Sequence, residues 1–247
     1  RLQISVLTLQ LYCLNTVGQS TYQLHLKGVD KDSSFLVSDL ALTTSFNSRF
    51  ECTEYINKLP TLLHAKGYFT ASMDSIQFDS SFARLVLFLG TSYRWVSLDT
   101  KKVDPSLLEA AGWREKLFSD KPADFSQVQL MEKRMLDYLE NNGHPFAKIS
   151  LDSIHIEGEK ISALLNVDKG PPYKIDSFRI FGNTKVSISY LQRYLNIPNG
   201  SPYSKEKLTN INKKIRDLSY LEQEKPFDIS MLPTGSTVNL YLKQKKS

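Results

Sequence analysis

Three short patterns recur in the same order along the 247 residues, and they restrict the chain to a tandem array. A glycine followed by an aromatic stands in Gly67-Tyr68-Phe69 and again in Gly143-His144-Pro145-Phe146. An Asp-Ser-Ile core follows each, in Met73-Asp74-Ser75-Ile76 and Leu151-Asp152-Ser153-Ile154. A Gly-x-x-Tyr link then appears in Gly90-Thr-Ser-Tyr93 and Gly170-Pro-Pro-Tyr173. The offsets from 67 to 143, 73 to 151 and 93 to 173 are 76, 78 and 80 positions. Units of about 75 residues lie near the lower size at which a domain buries enough apolar surface to fold alone.

Periodicity assigns the elements inside each unit. In the first, Tyr22, Leu24 and Leu26 alternate as a strand closed by Gly28, and a short helix follows around Phe35 to Leu42. A second helix gathers Cys52, Tyr55, Ile56, Leu59, Leu62 and Leu63 on one face, with Pro60 expected to kink it. A hairpin closes the unit, turning at Asp79-Ser80-Ser81. The second unit repeats this order. A helix runs from Pro105 to Ala111, and Asp124 caps another whose inner face is Val128, Met131, Met135, Tyr138 and Leu139. The third has a strand from Lys174, a helix through Ile188, Leu191 and Leu195, and a helix capped by Ser204 carrying Leu208, Ile211, Ile215 and Leu218. Its hairpin runs Phe227 to Met231, turns at Pro233 to Gly235 and returns through Val238 to Leu242. The fold class is therefore α+β, with three tandem β-α-α-β-β units at residues 21–91, 92–171 and 172–247. Residues 1–20 read either as a secretory signal ending near Thr16-Val17-Gly18 or as an extra N-terminal strand.

The recurrent Asp74 and Asp152 mark a change of phase. Apolar positions run to Met73 or Leu151 and resume at Ile76 or Ile154, a step of three where two would keep the face, so a β-bulge is expected. A carboxylate without a recurrent partner does not make acid-base chemistry. His25, His64, His144 and His155 fall in four different elements, no zinc or nucleophile-histidine spacing is present, and phosphate-loop and dinucleotide fingerprints are absent from the sequence. No cofactor and no small-molecule substrate are expected. Cys52 reads as a small buried hydrophobe.

Charge is uneven. From Tyr173 onward 13 Lys and Arg face 6 Asp and Glu, which leaves 18 against 20 for the rest of a chain whose net charge is +5. The basic surplus belongs to the third unit, as a solvated face or as a surface facing an anionic partner.

In this order, Gly-x-x-Tyr-x-Ile before the first strand, Arg179-Ile-Phe-Gly-Asn183 at its end, Gly200-Ser-Pro-Tyr203 before the second helix and Gly-Tyr-Phe after it resemble POTRA domains. These are the polypeptide-transport-associated domains of outer-membrane assembly factors of the BamA/TamA type. The third unit is the closest match; the second departs most, with Asp99 to Lys102 where Gly-Asn is usual. The resemblance implies a periplasmic binding array, not an enzyme, that precedes a membrane-embedded β-barrel expected beyond Ser247. It implies sheets of three strands covered by two helices, and unfolded outer-membrane or exported proteins and periplasmic partner lipoproteins as partners.

It also implies that the first hairpin strand of each unit is an open edge that accepts an extended strand. The residues concerned are Met73, Asp74 and Ser75 in Ala71 to Phe78; Ile149, Ser150 and Leu151 in Ala147 to Ile156; and Phe227, Asp228, Ile229, Ser230 and Met231. Within the last group Phe227, Ile229 and Met231 alternate toward the core, and Asp228 and Ser230 point outward. Lys205, Lys207, Lys213, Lys214 and Arg216 form the expected membrane-proximal basic face. A two-partner secretion transporter is the alternative within the resemblance, and a basic nucleic-acid-binding module the alternative outside it. Against the latter, Tyr190, Tyr194 and Tyr203 sit at helical or turn positions and do not form a stacking platform.

Overall fold

The structure, a computed structural model, describes residues 21–232 and 235–245. The expectations for residues 1–20 and for the turn at Pro233 fall outside the described residues. By their contacts the described residues divide into two bodies, 21–63 with 70–90, and 64–69 with 91–245.

The first body is one sheet and two helices. The elements are β1 (Tyr22–Gly28), α1 (Ser33–Ser38), β2 (Ser45–Phe46), α2 (Arg49–Ala65), β3 (Ser72–Phe78) and β4 (Phe82–Phe88). The strand order is β2-β1-β4-β3, with β1 parallel to β4 and the other pairs antiparallel. Tyr22 and Leu24 on β1 and Ala83, Leu85 and Leu87 on β4 are buried, as are Cys52, Ile56, Leu59 and Leu63 on α2. Each fully buried leucine contributes about 2 kcal/mol of transfer free energy. The Asp30 carboxylate accepts from Leu89 N and Gly90 N, both at 2.9 Å, and so fastens the end of β1 to the end of β4. Leu62, expected on the inner face of α2, is 41% exposed. Pro60 lies inside α2, which continues through it.

The second sheet belongs to the other body. Its elements are β5 (Arg94–Asp99), α3 (Pro105–Ala111), a 3-10 turn (Glu115–Leu117), α4 (Phe125–Asn141), β6 (Lys148–Glu157) and β7 (Lys160–Asp168), in strand order β5-β7-β6. Asp104 and Asp124 each accept a bond from the amide two residues on, capping α3 and α4. Val128, Met131, Met135 and Leu139 of α4 are buried, while Tyr138 at 38% exposure is not part of the inner face.

The third sheet has β8 (Lys174–Phe181), α5 (Ile188–Leu195), β9 (Ser201–Pro202), α6 (Lys205–Thr209), α7 (Ile211–Arg216), β10 (Leu221–Leu232) and β11 (Gly235–Gln244), in strand order β10-β11-β8-β9. Three details differ from expectation. The first and third sheets have four strands, because the two-residue β2 and β9 pair beside β1 and β8. The helix from Ser204 is broken at Asn210, which ends α6 and begins α7. β10 starts at Leu221, six positions ahead of Phe227.

The recurrent Gly and Tyr meet in space. Tyr93 N donates to Gly67 O at 3.0 Å, and Tyr173 N to Gly143 O at 2.7 Å. Phe69 stacks on Tyr93 at 4.5 Å, and Phe146 meets Tyr173 edge-on at 5.3 Å. Gly67 at φ 88 and Gly143 at φ 99 lie in the left-handed region, and a Cβ on Gly67 would collide with the Tyr93 carbonyl oxygen. The second seat is a closed ring of backbone bonds, because Gly143 N also donates to Tyr203 O and Tyr203 N to Tyr173 O. Next to it, Asn141 Oδ1 accepts from Glu206 N at 2.8 Å and from the Ser204 hydroxyl at 3.2 Å. The end of α4 thus caps the start of α6 and joins the second sheet to the third.

Candidate functional site

In all three sheets the first hairpin strand is outermost, with a neighbour on one side only: β3 beside β4, β6 beside β7, β10 beside β11. The opposite edges are covered at their beginnings, by β2, by β9 and, at β5, by the stretch around Lys121, whose carbonyl accepts from Trp95 N at 2.8 Å.

The bulges fall where the phase changes. Met73 pairs with Leu87 and Ile76 with Leu85, so β3 spends three residues where β4 spends two. Asp152 pairs with Leu164 and His155 with Ser162, the same excess on β6. There the left-handed Ser153, at φ 49, makes the extra step, and its amide bonds the Asp152 carboxylate at 2.6 Å. The bulge keeps Ile76, Phe78, Ile154 and Ile156 on the helix-facing side, opposite buried partners such as Leu85 and Ile161. α2 reaches Phe78, over whose ring the Arg49 guanidinium lies at 5.2 Å from the centroid, yet all four stay partly open. Ile76 and Phe78 are each 38% exposed, Ile154 and Ile156 each 52%. The sequence marks Ile76 and Ile154 as the points where alternation resumes after Asp-Ser, but the residues expected to form the edge sites stop short of all four.

The register also fixes where the backbone points. Asp79 N donates to Phe82 O at 2.8 Å across a two-residue turn, which makes 79 and 82 a hydrogen-bonded pair. By alternation Gln77 bonds inward, and Ile76 and Phe78 present N–H and C=O to the open side. The same count from Glu157↔Lys160 turns Ile156 outward and His155 inward, and beyond the bulge it turns Ile149 and Leu151 outward. From Leu232↔Gly235 it turns Asp228 and Ser230 inward, toward β11, and Ile229 and Met231 outward. Asp228 and Ser230 therefore have outward side chains and inward amides. In an antiparallel edge strand the residues whose side chains face this core are those whose main chain faces the edge.

The three edges differ in what they offer. β10 is broken twice, between Gln223 and Lys225 and between Lys225 and Asp228, and carries Pro226 there. Its Asp228 is held by the neighbouring strand: the Tyr241 hydroxyl donates to it at 2.7 Å and Asn239 Nδ2 at 2.6 Å, and these bonds lower the Asp228 pKa below the usual carboxylate value. Phe227 and Ile229 pack against the core. By contrast, β6 is ten residues long with a single bulge and two exposed isoleucines beyond it.

Of the five basic residues, two are engaged within the protein and three are exposed. Lys205 turns to Glu140 at 2.6 Å, and that hydrogen bond raises its pKa. Lys214, half-buried, donates to the Leu195 carbonyl at the end of α5 at 3.4 Å. Lys207, Lys213 and Arg216 remain exposed. Among the described residues no cluster of three His, Cys, Asp or Glu is placed to hold a metal ion, and no helix is long and apolar enough to cross a membrane.

Residues 173–240 match the POTRA family, described as the surface antigen variable number repeat. The third unit is a POTRA domain. In each of the first two sheets, as in the third, the first strand is parallel to the second hairpin strand and the first hairpin strand is outermost, and link tyrosines open the second and third units. Among solved structures, a fragment holding POTRA3–5 of BamA from Haemophilus influenzae is similar at 16% identity and a TM-score of 0.49, covering 94% of this chain and 100% of that one. The N-terminal domain of Omp85 from Thermosynechococcus elongatus is similar at 10% identity and 0.32, over 91% of this chain and 97% of that one. CdiB from Acinetobacter baumannii is similar at 11% identity and 0.32, over 63% of this chain and 30% of that one. No curated protein sequence matches the chain.

Proposed function

We propose that this chain is the periplasmic binding and scaffolding array of an outer-membrane β-barrel assembly or translocation factor, and that it receives extended client polypeptides by adding them as strands to its sheet edges. The observation that carries this reading is the end of β6, where outward main-chain groups and the exposed Ile154 and Ile156 share one edge. An added strand pairs through its backbone, which tolerates many sequences, and lays its alternate apolar side chains beside the isoleucines, which selects amphipathic strands. The strands of outer-membrane barrels have that alternation.

Two sets of labelled ten-residue peptides test it on the full chain. One set alternates apolar and polar residues in several unrelated sequences, and the other has the same compositions with the apolar residues contiguous. The alternating peptides should bind irrespective of sequence. Equal binding of both sets contradicts strand addition. Binding of a single natural sequence alone points instead to dedicated substrate recognition, as expected of a two-partner secretion transporter.

A further inference from the structure

We propose that the third unit rests on an anionic lipid surface through a tyrosine patch at the end where β11 leaves the sheet. Tyr190 and Tyr194 stand one turn apart on α5 with rings parallel within 5° and centroids 6.1 Å apart. Tyr220, between α7 and β10, has its hydroxyl beside that of Tyr190, and this neighbour, with desolvation, pushes the Tyr220 pKa up to about 12. The Tyr194 hydroxyl donates to Lys214 O at 3.1 Å, joining the patch to α7. Lys245 N donates to Tyr220 O at 3.0 Å, so the end of the sheet lies against it. Tyr190 and Tyr220 are nonetheless 38% and 40% exposed.

Cations border this patch. Lys213 and Arg216 are exposed on α7, and Arg216 and Lys245 line one cleft with Leu221, the neighbour of Tyr220. Lys225 lines the same cleft, and of its two acids Glu222 is paired with Lys243 at 3.3 Å while Glu224 is exposed, as is Asp217 at the end of α7, so the cations of this rim, with Lys213, outnumber the exposed acids. Tyrosine has an apolar body and a polar tip, the combination enriched at the headgroup level of membranes. Each basic residue near an anionic surface strengthens binding about fivefold. Single-stranded nucleic acid is the other anion that pairs with aromatics and cations, but it needs open ring faces, and Tyr190 and Tyr194 turn theirs to each other. The observations therefore favour lipid. The inference rests on the reading of a membrane-associated array, but it concerns a different surface from the strand edges.

The test uses the full chain with vesicles of phosphatidylglycerol or phosphatidylcholine and no client peptide, so its failure leaves strand capture standing. Wild type should bind the anionic vesicles alone. Arg216→Glu should weaken binding at least fivefold. Tyr190→Ser with Tyr220→Ser should remove the part of the binding that survives high salt. In the otherwise native protein, Tyr220→Trp should show a blue-shifted emission on adding anionic vesicles, a readout that stands if the double serine variant fails to fold. No shift at Trp, wild-type binding by a folded serine variant, equal binding to both lipids, or displacement from vesicles by a single-stranded oligonucleotide would each overturn the proposal.

Discussion

Proline at adjacent positions of β6 separates a backbone edge from a side-chain site. His155 points its amide at Ser162 on β7, and Ile156 points its amide at the open side. His155→Pro deletes a ladder bond and leaves the opposing carbonyl unpaired, which costs about 1–3 kcal/mol. Ile156→Pro deletes no bond within the sheet. It loses part of a side chain already 52% exposed, about 1 kcal/mol or less. In a domain of 60–100 residues a loss of 1 kcal/mol lowers Tm by about 4–8 °C. The two variants should therefore reverse order between assays. In a thermal melt His155→Pro should be the less stable protein. In a titration with an alternating peptide Ile156→Pro should bind at least about tenfold more weakly, since it loses a main-chain pair and places a ring on the docking side. Ile156→Ala should weaken binding less than Ile156→Pro. If His155→Pro melts like wild type while Ile156→Pro unfolds, the deduced backbone direction is wrong. If Ile156→Pro is folded and binds like wild type, clients do not add to this edge.

Gly67→Ala should destabilise more than Gly143→Ala, because the new Cβ meets the Tyr93 carbonyl in the first case and has 3.5 Å to the Tyr173 carbonyl in the second; two melts decide it. Asn141→Ala removes the acceptor shared by Ser204 and Glu206 and should cost about 1–2 kcal/mol, splitting the joint unfolding of the second and third sheets into two transitions by calorimetry; one unchanged transition would refute the capping role. Asp104 is held at a pKa of about 2 by the Ser106 hydroxyl, then by Lys169 and the Ser106 amide. A depressed carboxyl pKa gives stability that is complete above the ordinary value and lost as pH falls toward 2, so Asp104→Asn should flatten the acid limb of the stability curve and leave the neutral region sloped as in wild type.

The repeat, the order of elements and the bulges at Asp74 and Asp152 were legible because each leaves a periodic trace, whereas the open hairpin edge came from the family resemblance. A three-residue step at Asp74 and Asp152 can only keep its face by a bulge, and an Asp two residues ahead of an apolar helix face caps it. What stayed hidden had no period. β2 and β9 are two residues each, too short to alternate. The beginning of β10 reads as a loop because Glu222-Gln-Glu-Lys-Pro226 is charged and ends in proline, although an edge strand tolerates both. The pairings of Lys205 with Glu140 and Lys214 with Leu195 join elements distant in sequence. The direction of the edge amides follows from register, which depends on the exact length of each turn. That is why Asp228 and Ser230 look outward in the sequence yet bond inward, and why replacing Asp228 by alanine, which removes the acceptor of the Tyr241 hydroxyl and one of the two acceptors of Asn239, is not a silent change.

Amide hydrogen exchange, read by NMR residue by residue with and without a saturating alternating peptide, tests strand capture most directly. The outward amides of Ile149, Leu151 and Ile156 should exchange freely in the unbound protein and become protected on binding, while the inward amide of His155 is protected in both states. Protection that appears only on helix amides, or bound peptide with those three amides still exchanging freely, would contradict it.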